Sequence, residues 1–254
     1  MEKEEELLIK RCLDLANKAD KSNRPVSGDF LNLNEQNIVE TIRNQLSFVD
    51  VFFWGGYNMA ERKAICFCPK NMELKKEWFN IECIRIKPLN QKFADKLTHR
   101  DFLGAIINTG IERNKIGDII VNRDESYFYC SANLADFLCN ELTRVKHTSV
   151  MLELDKNTDV DGLVSENFKI IFGSISSLRA DSVTALAIRG SRTLSEEVIS
   201  SKRLYVNAKL ITKKDAILRL GDVLSIRGYG KYIIDEIGKP NSKNRMKVSL
   251  KAYQ

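Results

Sequence analysis

Gly117-Asp118-Ile119-Ile120-Val121-Asn122 is followed, after a short polar break at Arg123-Asp124, by Ser126-Tyr127-Phe128-Tyr129-Cys130-Ser131. Two runs rich in Ile, Val, Tyr and Phe this close together predict a β-hairpin. Working outward, Phe79–Lys87 reads as a strand and Thr98–Thr109 as a helix on the N-terminal side. On the C-terminal side Leu134–Arg144 reads as a helix and Ser149–Leu154 as a strand. The order β-α-β-β-α-β predicts a ferredoxin-like plait, which places the chain in the α/β (α+β) class. RRM-type RNA-binding domains share this plait, but so do many metabolic and metal-binding domains, so it implies no function alone.

Towards the N-terminus, Leu7, Leu8, Arg11, Cys12, Leu15 and Ala19 recur at helical spacing over Glu4–Lys21, and Ser22-Asn23-Arg24-Pro25 ends that helix. A second helix is predicted from Asn34, as its cap, to Leu46. Val49–Trp54, stopped by Gly55-Gly56, and Lys63–Pro69 read as strands, so residues 1–76 form a small N-terminal α/β domain. The plait with its trailing polar stretch Lys156–Asn167 takes 77–167, and Phe168–Ser174 is a strand leading out of it. The third domain, 178–254, has short helices at Ser182–Ala187 and Leu194–Ser200 and strands at Leu204–Val206 and Val223–Arg227. A closing hairpin runs through Tyr232–Ile237 and Met246–Ala252.

The 254 residues are 43% hydrophobic and 29% charged, a balance that supports folded cores. No apolar run approaches the ~20 residues of a membrane helix, and the acidic start Met1-Glu2-Lys3-Glu4-Glu5-Glu6 is no secretory signal. The expectation is a cytoplasmic protein with no membrane partner. Cys12, Cys66, Cys68, Cys83, Cys130 and Cys139 lie singly among apolar neighbours, and the chain has two histidines, so buried thiols and no metal site are expected. Cys66 and Cys68, two apart on a strand, share a face. From Arg179 onward 16 Lys+Arg stand against 7 Asp+Glu, a net of +9, which leaves −3 on the first 178 residues. An acidic body with a basic C-terminal segment suits a polyanion partner.

That segment holds Arg179-Ala180-Asp181, Ser191-Arg192, Val198-Ile199, Leu204-Tyr205-Val206-Asn207 and Leu220-Gly221-Asp222-Val223-Leu224-Ser225-Ile226-Arg227-Gly228. It resembles the S4 (alpha-L) RNA-binding domain, in which two helices and a β-hairpin present a basic concave surface to folded RNA. By that resemblance Arg179, Ser191, Arg192, Lys202, Arg203, Asn207, Lys209 and Arg227 face RNA. Independently, Arg192 near a helix N-terminus suits a phosphate, and Gly228 and Gly230-Lys231 allow close main-chain approach to phosphates. The chain departs from the pattern at Ala180, where Leu is usual, and at Lys202 and Ala208, where Gly is usual. A non-Gly residue in a left-handed turn costs ~1 kcal/mol, so either the turns differ or the loss is offset elsewhere.

Leu97-Thr98-His99-Arg100-Asp101-Phe102-Leu103-Gly104-Ala105 and Gly110-Ile111-Glu112-Arg113-Asn114-Lys115-Ile116-Gly117-Asp118-Ile119 narrow the reading. With Gly55-Gly56-Tyr57 and Ala60-Glu61-Arg62-Lys63 upstream, they resemble the YlmH-type S4 proteins of bacteria from about Phe30 to the end. The resemblance implies a non-catalytic factor of ribosome-associated quality control, cytoplasmic and monomeric off the ribosome. Its partners would be rRNA of the large ribosomal subunit and peptidyl-tRNA. The family is also associated with cell division.

The residues in these runs have readings of their own. His-Arg-Asp is not a kinase catalytic loop, because position 106 is Ile and no Gly-rich loop or DFG accompanies it. Thr98 and Asp101 stand at capping-box spacing, Gly104 suits close helix–sheet packing, and Gly110 a helix C-cap. His99 and Arg100, in the first turn, are candidate RNA contacts. Tyr127 and Tyr129 share a face with Phe128 opposite, without the basic and glycine residues of an RRM signature, and read as packing. Trp54 and Trp78 read as core. No hydrolase elbow, Walker loop or zincin motif is present, and no catalytic residue or cofactor is expected. An RNA-modifying factor related to pseudouridine synthases and a cell-division interaction protein remain as alternatives.

Overall fold

The computed structural model describes residues 2–122, 125–165, 168–242 and 245–253. The chain forms two compact units, residues 1–161 and 162–254.

The first unit opens with α1 (Glu2–Ser22), β1 (Val26–Leu31), α2 (Leu33–Thr41), β2 (Val49–Trp54) and β3 (Lys63–Pro69). Their antiparallel sheet has the order β1-β3-β2. The central strand β3 is buried on both faces, which is why Ala64-Ile65-Cys66-Phe67-Cys68 is continuously apolar and not alternating. Ile65 and Phe67 meet Cys12 and Ala16 of α1 and Val39 of α2 in one cluster. Cys66 and Cys68 share the other face, with their sulfurs 3.7 Å apart. The second helix differs from expectation at both ends. α2 starts two residues early because Asn32 caps it, accepting from the N–H groups of Asn34 and Glu35 while Glu35 accepts from the Asn32 N–H. Beyond Thr41 the chain tightens into a 3₁₀ turn at Arg43–Leu46 and the α-helix does not continue. β1 was unexpected: Gly28 and a register shift between Ser27 and Phe30 break its strand pattern.

The same unit continues with β4 (Ile81–Pro88), α3 (His99–Ile107), β5 (Ile116–Ile120), β6 (Ser126–Ser131), α4 (Ala135–Glu141), β7 (Arg144–Val145) and β8 (Thr148–Leu154). The sheet order β5-β6-β4-β8 with antiparallel neighbours is that of a ferredoxin-like plait, extended by β7. α3 and α4 cover one face, burying Phe102, Ile106 and Leu138 against Ile84, Ile86 and Phe128. The capping box at Thr98 forms, with Asp101 Oδ2 accepting from the Thr98 N–H and hydroxyl at 2.8 and 2.7 Å. Lys146 joins them at 2.9 Å, and this ion pair, then the Thr98 hydrogen bonds, hold the Asp101 carboxyl at a pKa of about 2. Gly110 takes φ +88° just past the helix end. Gly104 does not serve packing: nothing lies within 4 Å of where its Cβ would be. The helix expected over 134–144 is shorter, because Ala132–Leu134 is a 3₁₀ turn and Arg144 already pairs in β7. The expected turn at Arg123-Asp124 lies outside the described residues.

The second unit comprises β9 (Phe168–Ile175), α6 (Ala180–Ala187), α7 (Arg192–Ser200), β10 (Leu204–Val206), β11 (Lys209–Leu210), β12 (Val223–Ile226), β13 (Gly230–Ile237) and β14 (Met246–Tyr253). α5 (Val160–Ser165) crosses the boundary between the units, inside a stretch expected to be loose; its last expected residues, 166 and 167, lie outside the description. The antiparallel sheet runs β11-β10-β12-β13-β14-β9, and α6 and α7 pack on one face through Val183, Ala187, Val198 and Ile199. β9 does not simply lead away from the plait. It pairs with β14 along its whole length, from Phe168 against Tyr253 to Ile175 against Met246. Its partner is more than 70 residues away, and no local pattern announces that.

Candidate nucleic-acid interface

The RRM-like face of the plait is occupied. Tyr129 stacks on Tyr57 with ring centroids 5.8 Å apart, and its ring lies where a Cβ on Gly56 would sit. Beside it, Arg85 pairs with Glu153 at 2.6 Å and Glu125 at 3.6 Å, and Lys87 pairs with the same two carboxylates. Asp155 adds a third carboxylate 3.8 Å from Arg85. Two cations against three carboxylates leave no positive field for phosphates. Tyr127 donates to Glu125 at 2.7 Å and is buried, as the packing expectation required. Trp54 and Trp78 are half-buried at the edge of the core, and Trp54 carries the Lys76 ammonium 4.3 Å from its ring centre.

The long motif runs build one joint between the first two sheets. Asp118 accepts from the Tyr57 hydroxyl at 2.9 Å and from the N–H groups of Glu61 and Arg62 at 2.6 and 3.0 Å. The Arg62 guanidinium donates to the carbonyls of Ile116, Phe30 and Arg113, and Arg113 donates to those of Ile116 and Gly117. Gly117 leaves room for Phe30, since a Cβ there would stand 2.6 Å from its ring. These residue types satisfy buried carbonyls and a carboxylate, a structural duty. His99 and Arg100 are exposed on the first turn of α3. Partial desolvation, then the Arg113 charge, lowers the His99 imidazole from its ordinary range.

In the C-terminal unit the expected residues fall into two clusters. Arg179 and Arg192 converge on Asp181, which is 1% exposed. Arg179 donates through Nε and Nη2 at 3.2 and 3.1 Å, and Arg192 through Nε at 3.3 Å. Burial alone would raise the Asp181 carboxyl. The Arg179 hydrogen bonds, the Ser182 N–H and the two guanidinium charges outweigh it, and the pKa lies below the usual carboxylate range. The Arg192 side chain stays 58% exposed, aimed but not enclosed. Ser191 caps α7, its hydroxyl accepting from the Leu194 N–H at 3.1 Å.

The second cluster lies past the C-terminal end of α7. A nine-residue helix rises about 13 Å, so the clusters sit at opposite ends of it. The N–H of Lys202 reaches the Ile199 carbonyl and that of Arg203 the Val198 carbonyl, a Schellman motif with Lys where Gly is usual. Lys202 takes φ +56°, so the turn keeps its left-handed form and the strain is accepted. Arg203 donates to the Arg227 carbonyl from Nε at 3.0 Å and Nη2 at 2.6 Å, and lies 5.4 Å from the Tyr229 ring centre. Arg227 stands 5.1 Å over Tyr205, and Lys231 5.3 Å over Tyr253. Cation–π contact of this kind restrains a side chain without neutralising it. One expectation fails: the space above Gly228 (φ +86°) is taken by the Arg203 guanidinium and is not open to a phosphate.

Asn207 is exposed, but both ends of its amide are already engaged within the unit. Its amide donates to Asp222 at 2.9 Å and its oxygen accepts from the Val223 N–H at 3.0 Å, clipping β10 to β12. Asn207 and Ala208, at φ +49° and +65°, form the two-residue turn between β10 and β11, with Lys209 exposed beyond it. Sequence reasoning missed Asp181 as the shared anchor and Tyr205, Tyr229 and Tyr253 as supports. The Arg-x-Asp spacing was a signal for the first; nothing local marked the tyrosines, because cross-strand register places them.

The cysteines are buried except Cys139, which is partly so, and burial raises Cys12 to about 11 and Cys83 to about 12. Among the described residues no group of three or more His, Cys, Asp or Glu could hold a metal ion, and no helix is long and apolar enough to cross a membrane.

Comparison with known proteins agrees with this architecture. Residues 4–72 match a family model described as "YlmH, N-terminal", and residues 75–159 one described as "Putative RNA-binding domain in YlmH". A relative from Bacillus subtilis (strain 168), named ribosome-associated protein quality control protein P2, is 30% identical over 251 residues, 98% of this chain and 95% of its own. A solved structure named cell division protein ylmH from Streptococcus pneumoniae aligns with a TM-score of 0.50 at 21% identity, covering 60% of this chain and 92% of that one. With near-complete coverage by that relative, and the two family models matching the two sheets of the first unit, this chain belongs to the YlmH family.

Proposed function

We propose that this protein is a non-catalytic RNA binder of ribosome-associated quality control, in which the C-terminal S4-type unit grips rRNA of the large subunit and peptidyl-tRNA. One observation carries the reading. Arg203 and Arg227 are held by a carbonyl and a ring that leave their charge uncancelled, and Arg192 shares the single Asp181 carboxylate with Arg179, so that cluster keeps a net positive charge with the Arg192 side chain 58% exposed. Side chains restrained in this way lose little further freedom on meeting phosphates. The name of the Bacillus relative and the description of the middle family model support the ribosomal and RNA aspects. In this reading Arg179 and Ser191 position the first cluster, Lys202, Lys209 and Lys231 add charge around the second, and Asn207 shapes the turn.

The test is co-sedimentation with isolated large subunits across a salt series. Each phosphate contact contributes about 0.7–0.9 to the log–log slope. Arg192→Glu with Arg203→Glu is expected to abolish pelleting at 150 mM salt while far-UV circular dichroism stays unchanged. Undiminished pelleting of the folded double variant defeats the proposal. The name of the streptococcal structure favours a second reading, an interaction partner of the division apparatus. Division proteins retained in an RNase-treated pull-down that has lost ribosomal proteins would select it.

A further inference from the structure

We infer that the plait contacts RNA through the segment 89–100, where Phe93 stacks an unpaired base and Lys92, Lys96, Arg100 and Arg144 hold the adjoining phosphates. This rests on the RNA-binding reading above and locates it on the middle domain. Three observations carry it. First, the sheet face that an RRM would use is closed by Tyr57 and Gly56 and neutralised by Glu125, Glu153 and Asp155, so RNA bound by this domain needs another surface.

Second, Phe93 is 82% exposed and Leu89 66% exposed, at the tip and root of one short segment. That segment is pinned. The Leu89 N–H donates to the Ser149 carbonyl at 3.0 Å, the Asp95 N–H to the Thr148 hydroxyl at 2.8 Å, and the His147 N–H to Asp95 at 3.2 Å. An aromatic ring held out from an anchored 3₁₀ turn is preorganised for a flat ligand and unexplained by packing.

Third, the surroundings are cationic. Lys92, Lys96, Arg100, Arg144 and Lys146 are all exposed. The acids of the same two segments, Asp95 and Asp101, are engaged by the β7–β8 turn and by Thr98 and Lys146. Arg144 pairs with Ser149, whose carbonyl receives the Leu89 N–H, so the basic turn and the aromatic segment adjoin. Aromatic stacking beside free cations is the arrangement that binds unpaired nucleotides without a sequence preference. With Lys146 paired to Asp101, four exposed cations remain, and an apolar protein surface would use Phe93 but gain nothing from them.

The experiment uses the full chain and two fluorescein-labelled RNAs: a hairpin with a uridine loop, and the same stem closed as a blunt duplex. Phe93→Ala is expected to weaken loop-RNA binding about fivefold or more and leave duplex binding unchanged, with Phe93→Trp restoring the loop preference. Ultraviolet crosslinking of the parent to the hairpin is expected to place an RNA adduct on the tryptic peptide 93–96. Loop binding unaffected by Phe93→Ala, with no adduct there and Arg203→Glu still weakening both RNAs, overturns the inference and leaves the S4 reading standing. Failure of the parent to bind either RNA defeats both. Loss of a protein partner with RNA affinity intact in Phe93→Ala overturns it in favour of a protein contact.

Discussion

Two sheets of this molecule carry arginines beside tyrosines, and they use them in opposite ways. On the plait, Arg85 and Lys87 meet Glu125, Glu153 and Asp155, and Tyr129 is roofed by Tyr57. In the C-terminal unit, Arg203 and Arg227 meet a carbonyl and tyrosine rings, with no carboxylate among their described contacts. Residue type is the same; the partner decides whether a charge is cancelled or only restrained. A positive count along the sequence is therefore a weaker guide to a polyanion site than the identity of what each cation touches.

The comparison breaks most sharply at Gly56. It has φ +98° and its missing Cβ is where the Tyr129 ring lies, so Gly56→Ala must strain the backbone and displace the ring. A loss of about 3 kcal/mol is expected in urea unfolding, with RNA affinity of the folded fraction unchanged. Weakened RNA binding by that fraction would mean the plait face is functional after all. A loss near zero would mean the roof over Tyr129 is not tight.

Asp181→Asn comes next. The buried carboxylate holds Arg179 and Arg192 through charge-assisted hydrogen bonds, and its removal is expected to cost about 2 kcal/mol and to lower RNA affinity through Arg192. The sign with pH follows from the depressed carboxyl: its contribution is present above the unfolded carboxylate pKa of about 3.9 and is lost as pH falls through the lower folded value. Thermal melts from pH 6 to 3 should therefore converge for parent and variant at the acid end. Parallel curves would show that Asp181 is not the titrating anchor.

The smallest effect is a gain. Ala208→Gly converts a strained Asn-Ala turn into the Asn-Gly pair that such turns prefer, and is expected to stabilise the C-terminal unit by about 1 kcal/mol. RNA binding should stay as in the parent, since no charge changes. A destabilised variant would show that the Ala208 side chain packs favourably enough to offset its φ of +65°.

The amino-acid sequence by itself determined most of the elements and the plait, and its basic C-terminal segment pointed to a polyanion as the ligand class. Val49–Trp54, Lys63–Pro69, Ser126–Ser131 and Leu204–Val206 end where the expected strands end, because β-branched and aromatic runs bounded by turn residues are local signals. The Thr98–Asp101 box and Cys66–Cys68 facing were legible for the same reason: both depend on spacing alone. Only the tertiary structure decided the rest. β9 is claimed by β14, Arg62 and Asp118 close a joint between sheets, and Gly228 is filled by Arg203. Those outcomes depend on residues 25 to 85 positions apart meeting with unsatisfied carbonyls or open space between them, and hydrogen-bonding and steric demands of that range leave no periodic trace in the chain.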